Sequence, residues 1–213
     1  MTLPSTRVVV LISGEGTNLQ ALIDAMQHRS LLADIVLVVS NRVTAPGLDR
    51  ARSAGLATHI AARKRWAPGD PARLAYDIRL ADTISNVRPD LLVFAGWMHV
   101  LADAFLERFQ GRMMNIHPSL LPAFPGRSPI PDALAYGARV TGVTVHFVDP
   151  GAFDTGAIIL QEAVEIDQDD TDETLLARLH AVEHRLYPRA VGLFLANRLV
   201  RQGRRVHIRG ATD

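Results

Sequence analysis

The sequence predicts an α/β protein with a mostly parallel sheet and helices on both faces. Continuous apolar runs, rich in Val, Ile and Leu, indicate strands that are buried on both sides, and segments with apolar residues at helical spacing separate these runs. Such alternation is typical of βαβ units, which build a Rossmann-like sheet between two helical layers. A chain of 213 residues, 48% hydrophobic and 21% charged, fits one domain with a sizeable core.

The first half of the chain alternates strictly between strand and helix signals. Five consecutive apolar residues within Arg7 to Ser13 predict a buried strand, and apolar residues at helical spacing from Leu19 to Met26 predict the helix that follows. The same reasoning predicts strands over 35–40, 57–61 and 91–95, and helices over 45–54 and 71–86.

The second half is expected to begin with a strand at Met113–His117. A stiff, exposed loop with five prolines is expected over 118–131, followed by strands over 140–148 and 157–166. Asp170 and Glu173 have the spacing of a capping box for a last long helix. Pro188 is expected to kink or break that helix.

Composition narrows the function classes. The chain has 23 Lys and Arg against 22 Asp and Glu, and a net charge of +1 gives no strong field for a nucleic acid or an anionic membrane. Cysteine is absent, which excludes disulfides, thiolate nucleophiles and thiolate metal sites. The longest apolar run, residues 91–98, is far shorter than the roughly 20 residues of a membrane-spanning helix. We expect a cytoplasmic protein whose partners are small molecules.

A glycine-containing loop joins the first strand to the first helix. Residues 13–18 are Ser-Gly-Glu-Gly-Thr-Asn, and the free backbone N–H groups of a helix N-terminus favour an anion such as a phosphate. The loop lacks the third glycine of a dinucleotide fingerprint and the lysine of a P-loop. A plain tight turn is the alternative.

Asn115 and His117 lie two residues apart on the predicted fifth strand, so their side chains share one face at the end of that strand. An imidazole can move a proton near pH 7, and an amide can donate a hydrogen bond to a developing oxyanion. The alternative is that neighbouring backbone groups satisfy both side chains.

Asp154-Thr155-Gly156 matches the triplet of aspartic proteases. A single copy would have to dimerise, and the βαβ pattern contradicts that all-β fold. Asp154 could instead face His117 and stabilise its imidazolium, or it could be a solvated turn residue.

Another motif lies on the last predicted helix. His180, Glu183 and His184 have the H-x-x-E-H spacing of inverted zinc proteases, which makes a zinc metalloprotease a remote alternative. His146 alternates with apolar neighbours, and we expect it to be a satisfied strand residue without a role in the site.

Six segments, taken in their order along the chain, carry a family resemblance. They are Leu-Ile-Ser-Gly-Glu-Gly-Thr-Asn-Leu-Gln at 11–20, Ala-Gly-Trp-Met at 95–98, Asn-Ile-His-Pro-Ser-Leu-Leu-Pro at 115–122, Val-His-Phe-Val-Asp at 145–149, Asp-Thr-Gly at 154–156 and Glu-His-Arg-Leu-Tyr-Pro at 183–188. Together they resemble the phosphoribosylglycinamide formyltransferase family, and the likeness runs from about residue 7 to residue 208.

The resemblance implies one formyltransferase domain over 1–213, with a nucleotide-phosphate-binding half at about 1–100 and a catalytic, folate-binding half at about 101–213. It implies transfer of the formyl group of 10-formyltetrahydrofolate to the amine of glycinamide ribonucleotide in de novo purine (IMP) biosynthesis. It also implies that no metal is required. We expect that neither nucleic acid nor membrane is a partner and that the protein is a monomer or homodimer.

The resemblance also assigns residues. The positions that match the catalytic set are Asn115, His117 and Asp154. The positions that match ribonucleotide binding are Gly16, Thr17, Asn18 and Glu183, and those that match the folate site are Arg73, Met98, His99, Val100, Leu101 and Asn115.

The sequence departs from the family pattern at three places. Residues 127–131, Arg-Ser-Pro-Ile-Pro, replace a segment that contains His and resemble a run of methionyl-tRNA and sugar formyltransferases. The turn before Asp154 is one residue longer than usual, and His99 stands where Arg is common. The alternatives are a formyltetrahydrofolate hydrolase or a formyltransferase acting on another amine. A hydrolase is expected to carry an extra N-terminal regulatory domain and methionyl-tRNA formyltransferase an extra C-terminal one, and we expect neither to fit in 213 residues.

Overall fold

A computed structural model of the chain describes residues 6–64, 66–67, 70–151 and 154–210. The strands are β1 Thr6–Ile12, β2 Ala33–Ser40, β3 Thr58–Ile60, β4 Leu91–Phe94, β5 Met113–His117, β6 Val140–Phe147, β7 Ile158–Glu165, β8 Leu199–Gln202 and β9 Arg205–Ile208. The helices are α1 Thr17–Gln27, α2 Gly47–Ser53, α3 Pro71–Ser85, α4 Asp103–Arg108, α5 Pro129–Tyr136 and α6 Asp172–Leu195.

Seven of these strands form a mostly parallel sheet in the order β3-β2-β1-β4-β5-β6-β7, and helices flank it. This confirms the predicted fold class. Every helix and strand predicted from the sequence is present, with ends that differ by a few residues. By contacts the chain divides into two compact units, Met1–Met114 with Asp149–Gly151 and Asn115–Val148 with Ala152–Asp213.

The first unit is built around β1. This strand pairs in parallel with β2 on one side and β4 on the other, and β3 pairs in parallel with β2. Its residues from Val8 to Ile12 are fully buried, and Leu19, Leu22 and Ile23 of α1 add to the same core. From β1 the sheet extends through β2 and β3 on one side and through β4 on the other, so the strand order reverses direction between β1 and β4. Ligands of open α/β sheets bind beside the carboxyl ends of the strands at such a point.

The second unit contains the antiparallel pair of β6 and β7, which runs from Val140 opposite Glu165 to His146 opposite Ile158. The long helix α6 packs against both strands. β8 and β9 form a separate antiparallel hairpin, and β9 also contacts β7.

The start of α6 corrects the predicted capping box. The N-cap residue is Thr171, whose hydroxyl accepts the N–H of Thr174 at 3.3 Å, while the Thr174 hydroxyl accepts the N–H of Thr171 at 2.9 Å. Asp170 instead accepts the N–H of Asp167 and pairs with Arg178, so its carboxylate is used one residue before the cap. The expected pairing of Asp170 with Glu173 is therefore wrong.

Pro188 does not break α6, which continues to Leu195. Tyr187, Ala190 and Val191 on either side of the proline are fully buried. Most helical stability in proteins comes from packing of the apolar face, and here that packing outweighs the backbone hydrogen bond that proline cannot donate.

The expectation of an exposed loop over 118–131 is also wrong in part. Ser119 and Leu121 are buried, and α5 begins at Pro129, which is buried together with Ile130. Proline is favourable at the first helical position because the N–H it lacks would have no helical partner there. Among the helices in the described ranges, none is long and apolar enough to cross a membrane.

Candidate functional site

Four polar side chains from three segments of the second unit lie together. Asn115 and His117 come from the end of β5, His146 from the end of β6 and Asp154 from the turn before β7. One oxygen of the Asp154 carboxylate is 3.7 Å from Nδ1 of His117, and the other is 3.7 Å from Nε2 of His146. These distances are too long for direct hydrogen bonds, and both lie within ion-pair range.

The His117 ring is oriented by a backbone carbonyl. Nε2 lies 2.9 Å from the carbonyl oxygen of Phe124, and because a carbonyl can only accept, Nε2 is the nitrogen that carries a proton. Nδ1 is therefore the nitrogen that gains or loses a proton, and it is the one that faces Asp154. The predicted approach of the carboxylate to His117 is confirmed.

A buried polar network holds the loop that presents the Phe124 carbonyl. The Thr144 hydroxyl donates to the carbonyl of Ser119 at 2.7 Å and accepts the N–H of Leu121 at 3.1 Å. Gln161 donates to the Leu121 carbonyl at 2.9 Å. Because buried polar groups in satisfied networks have few alternative positions, this network fixes the acceptor that orients His117.

His146 belongs to the same cluster, so the expectation that it has no contact with the site is wrong. Its Nδ1 donates to the carbonyl of Phe147 at 2.8 Å, so Nε2 bears the lone pair and accepts from Nδ2 of Asn115 at 3.3 Å. This bond orients the Asn115 amide and uses one of its two N–H groups. A buried polar residue at a strand end was the available signal, but alternation along one strand does not reveal contacts across strands.

The backbone of Asp154 is strained. Its φ is 52°, in the left-handed region that costs a non-glycine residue about 1 to 3 kcal/mol and that is retained chiefly at functional sites. The carboxylate accepts the N–H of Gly126 at 2.9 Å, and the side chain is only 13% exposed, so the solvated-turn alternative is wrong. The longer turn noted before it includes Ala152 and Phe153, which lie outside the described residues.

Gly156 lets the turn after Asp154 pack onto the end of β6. A Cβ atom at this position would lie 1.7 Å from the carbonyl oxygen of Phe147, so only glycine fits. The Phe147 N–H also donates to the carbonyl of Ala157 at 2.9 Å. The turn that carries Asp154 and the strand end that carries His146 are therefore in direct backbone contact.

In the first unit, the loop before α1 is held by contacts to α2. Gly16 precedes the helix with φ 72°, and no side chain caps the first turn. The Gly14 carbonyl accepts the N–H of Gly47 at 3.0 Å, and the Glu15 carbonyl accepts from Nε of Arg50 at 2.8 Å. Contacts to α2 thus fix the loop through its carbonyls, while the N-terminal N–H groups of α1 have no side-chain cap.

The segment after β4, residues 95–102, lies beside the carboxyl end of β1. Ser13 accepts the N–H of Met98 at 2.8 Å, and Arg73 donates to the carbonyl of Val100 at 2.8 Å. Arg63 donates to the Met98 carbonyl at 3.2 Å. Five of the expected folate-site residues, Arg73 and 98–101, are therefore in or directly bonded to this segment.

His99 is buried in this segment, and its side chain is already paired. Its Nε2 is 2.7 Å from Oδ1 of the fully buried Asp77, whose Oδ2 accepts the N–H of Ala102 at 2.8 Å. The imidazole thus ties the segment to α3. Asp77 could not be predicted from local sequence because its partners lie 22 and 25 residues further along the chain.

Glu183 is buried in α6, with a carboxylate oxygen 3.8 Å from Nε2 of His180. The rings of His180 and His184 are stacked with centroids 5.6 Å apart. Burial and the charge of His184 lower the pKa of His180. Within the described ranges no group of three or more His, Cys, Asp or Glu side chains could hold a metal ion, so the zinc alternative has no third ligand there.

The cluster in the second unit can stabilise an oxyanion and move a proton. The remaining N–H of Asn115 can donate to a developing negative charge, and a protonated imidazole beside Asp154 can add its own charge. The Asp154 carboxylate stabilises a positive charge on either ring.

The chain is similar to known proteins in both sequence and structure. A family model for formyl transferases matches residues 6–191. The trifunctional purine biosynthetic protein adenosine-3 of Drosophila pseudoobscura pseudoobscura is 44% identical over 93% of this chain, which spans only 14% of that protein. The phosphoribosylglycinamide formyltransferase of Escherichia coli (strain K12) is 42% identical over 90% of this chain and 88% of that protein. The crystal structure of glycinamide ribonucleotide transformylase 1 from Symbiobacterium toebii has a TM-score of 0.89 and 45% identity, covering 96% of this chain and 94% of that chain.

Proposed function

The chain belongs to the formyl transferase family, and from this premise we propose that it transfers the formyl group of 10-formyltetrahydrofolate to the amine of glycinamide ribonucleotide, in purine biosynthesis. The arrangement of Asn115, His117 and Asp154 is the observation that carries the proposal, because it provides an oxyanion donor and a proton carrier within one cluster. Relatives named for this reaction support the choice of substrates.

The reaction begins when the substrate amine attacks the formyl carbon. A tetrahedral intermediate forms, and its negative oxygen accepts a hydrogen bond from Asn115, while the positive charge of a protonated His117 stabilises it further. As the C–N bond to the folate breaks, the departing nitrogen takes a proton and the attacking nitrogen loses one. Asp154 keeps the imidazolium favourable during these transfers.

The ribonucleotide is assigned to residues on two elements. Gly16, Thr17 and Asn18 supply the helix N-terminus that binds the phosphate, supported by the uncapped first turn of α1. Glu183 supplies a buried carboxylate for the glycinamide end, supported by its low exposure.

The folate is assigned to the segment after β4. Met98, Val100 and Leu101 line its site, and Arg73 holds the segment from α3. His99 acts through its position in the backbone, because its imidazole is bonded to Asp77. Asn115 contributes the amide that meets the formyl oxygen.

The remaining assignments concern the setting of the reaction. We assign the protein to the cytoplasm, as a monomer or homodimer that needs no metal and binds neither nucleic acid nor membrane. The near-zero net charge and the absence of cysteine support this setting.

An absorbance assay of the folate product tests the function directly. Product should form from 10-formyltetrahydrofolate only when glycinamide ribonucleotide is present. Product formation at the same rate without the ribonucleotide would indicate a hydrolase, and formation only with a different amine would identify another acceptor.

A further inference from the structure

The C-terminal hairpin of β8 and β9 contacts the strained turn that carries Asp154. At its tip, Arg204 donates from Nη1 to the carbonyl of Thr155 at 2.8 Å, and Thr155 directly follows Asp154 in the chain. The hairpin lies beyond the residues 6–191 that match the family model.

The same hairpin also contacts the strand end that carries His146. The guanidinium carbon of Arg201 lies 5.8 Å from the centroid of the Phe147 ring, within the range of a cation–π interaction. The Phe147 carbonyl accepts the Nδ1 proton of His146. Two arginines of the hairpin therefore contact residues adjacent in sequence to two members of the polar cluster.

A residue held at positive φ needs surrounding contacts that fix its conformation. Gly126, which precedes Asp154 in the chain, donates its N–H to the Asp154 carboxylate itself. On the C-terminal side, the carbonyl of Thr155 is fixed by Arg204. A charged donor makes a stronger hydrogen bond than a neutral one, so this contact resists rotation of the Thr155–Gly156 peptide, which is the second peptide after Asp154.

We propose that Arg204 is a positioning residue for the reaction, which holds the Asp154 turn so that the carboxylate faces the two imidazoles. The proposal rests on the proposed function, in which Asp154 stabilises the imidazolium. Arg204 touches no reacting atom and acts only through the backbone of Thr155.

The test compares three variants of the full chain. Arg204→Gln removes the charged donor, and Arg204→Lys keeps one. Arg205→Gln removes a neighbouring arginine that is also exposed and for which the described part of the chain shows no side-chain partner. Small displacements of catalytic groups cost up to about a hundredfold in rate, and because the Gly126 contact remains we expect a loss of about tenfold in kcat for Arg204→Gln. KM for both substrates should change less than twofold, Arg204→Lys should keep more than half of the wild-type kcat, and Arg205→Gln should match the wild type.

A second readout does not depend on turnover. The amide proton resonance of Gly126 reports its hydrogen bond to Asp154, so it should shift in Arg204→Gln and not in Arg205→Gln. Thermal unfolding of each variant separates misplacement of the turn from loss of folded protein.

The outcomes distinguish the two proposals. If the wild type is active and the kcat of Arg204→Gln lies within twofold of the wild-type value, the positioning role is overturned. Equal losses of kcat in Arg204→Gln, Arg204→Lys and Arg205→Gln overturn it as well. An inactive wild type overturns the proposed function, and the Gly126 resonance then still decides whether Arg204 holds the turn.

Discussion

Replacing Asp154 by Asn removes one charge from the cluster and keeps the shape of the side chain. The Asn oxygen can still accept the N–H of Gly126, which the carboxylate accepts at 2.9 Å. What is lost is the attraction between the carboxylate and a proton on His117 or His146, each 3.7 Å away.

The distances set the size of the effect. Two unit charges about 4 Å apart interact by about 4 kcal/mol at the effective dielectric constant of about 20 that suits such sites. The Asp154 side chain is 13% exposed, so water screens part of this attraction. A loss of about 2 to 4 kcal/mol of transition-state stabilisation is expected, which corresponds to a fall in kcat of about 30-fold to 1000-fold.

The measurement is kcat at saturating concentrations of both substrates, with thermal unfolding to confirm that the variant is folded. Asp169→Asn is the matched control, since Asp169 is exposed and lies in the turn before α6, outside the polar cluster. If Asp154→Asn keeps more than a fifth of the wild-type kcat, the carboxylate does not stabilise the imidazolium during the reaction.

Three further changes test other parts of the account. Gly156→Ala places a Cβ 1.7 Å from the carbonyl of Phe147, so it should lower the free energy of unfolding by about 1 to 3 kcal/mol and reduce kcat; normal urea unfolding would contradict this. Asp77→Asn weakens the buried bond to His99 and should raise KM for the folate more than KM for the ribonucleotide, whereas equal changes would argue against a role for that segment. Burial and the charge of His184 lower the pKa of His180 in the folded state, so the unfolded state binds more protons as pH falls through about 6.5. Lowering the pH from about 7.5 to about 5.5 should therefore reduce the Tm of the wild type more than the Tm of His180→Gln. An equal loss of Tm would show that His180 does not contribute.

Local patterns were sufficient to predict the sheet and the helices with clear apolar periods. Val8 to Ile12 are five consecutive and mostly β-branched apolar residues, which favours a strand buried on both faces. The end of β5 follows from the proline after His117. α4 has six residues and the strands of the C-terminal hairpin have four each, too few for a period to stand out. α5 was also not predicted, because it has only eight residues and its prolines indicated a loop.

The parts of the candidate site formed by residues close in sequence were predicted. The contacts between residues distant in sequence were not. Asn115 and His117 are two residues apart on one strand, and this spacing was enough to pair them. His146 meets Asn115 from 31 residues away, and Asp77 meets His99 from 22 residues away. Such contacts depend on strand order and helix packing, which no local pattern contains.

A carbon-13 label at the formyl group shows whether that group reaches the ribonucleotide or is released by hydrolysis. With labelled 10-formyltetrahydrofolate and glycinamide ribonucleotide present, we expect the label to appear in the N-formyl group of the ribonucleotide, in equal amount to the folate released. Label that appears as free formate in the presence of the ribonucleotide would contradict it.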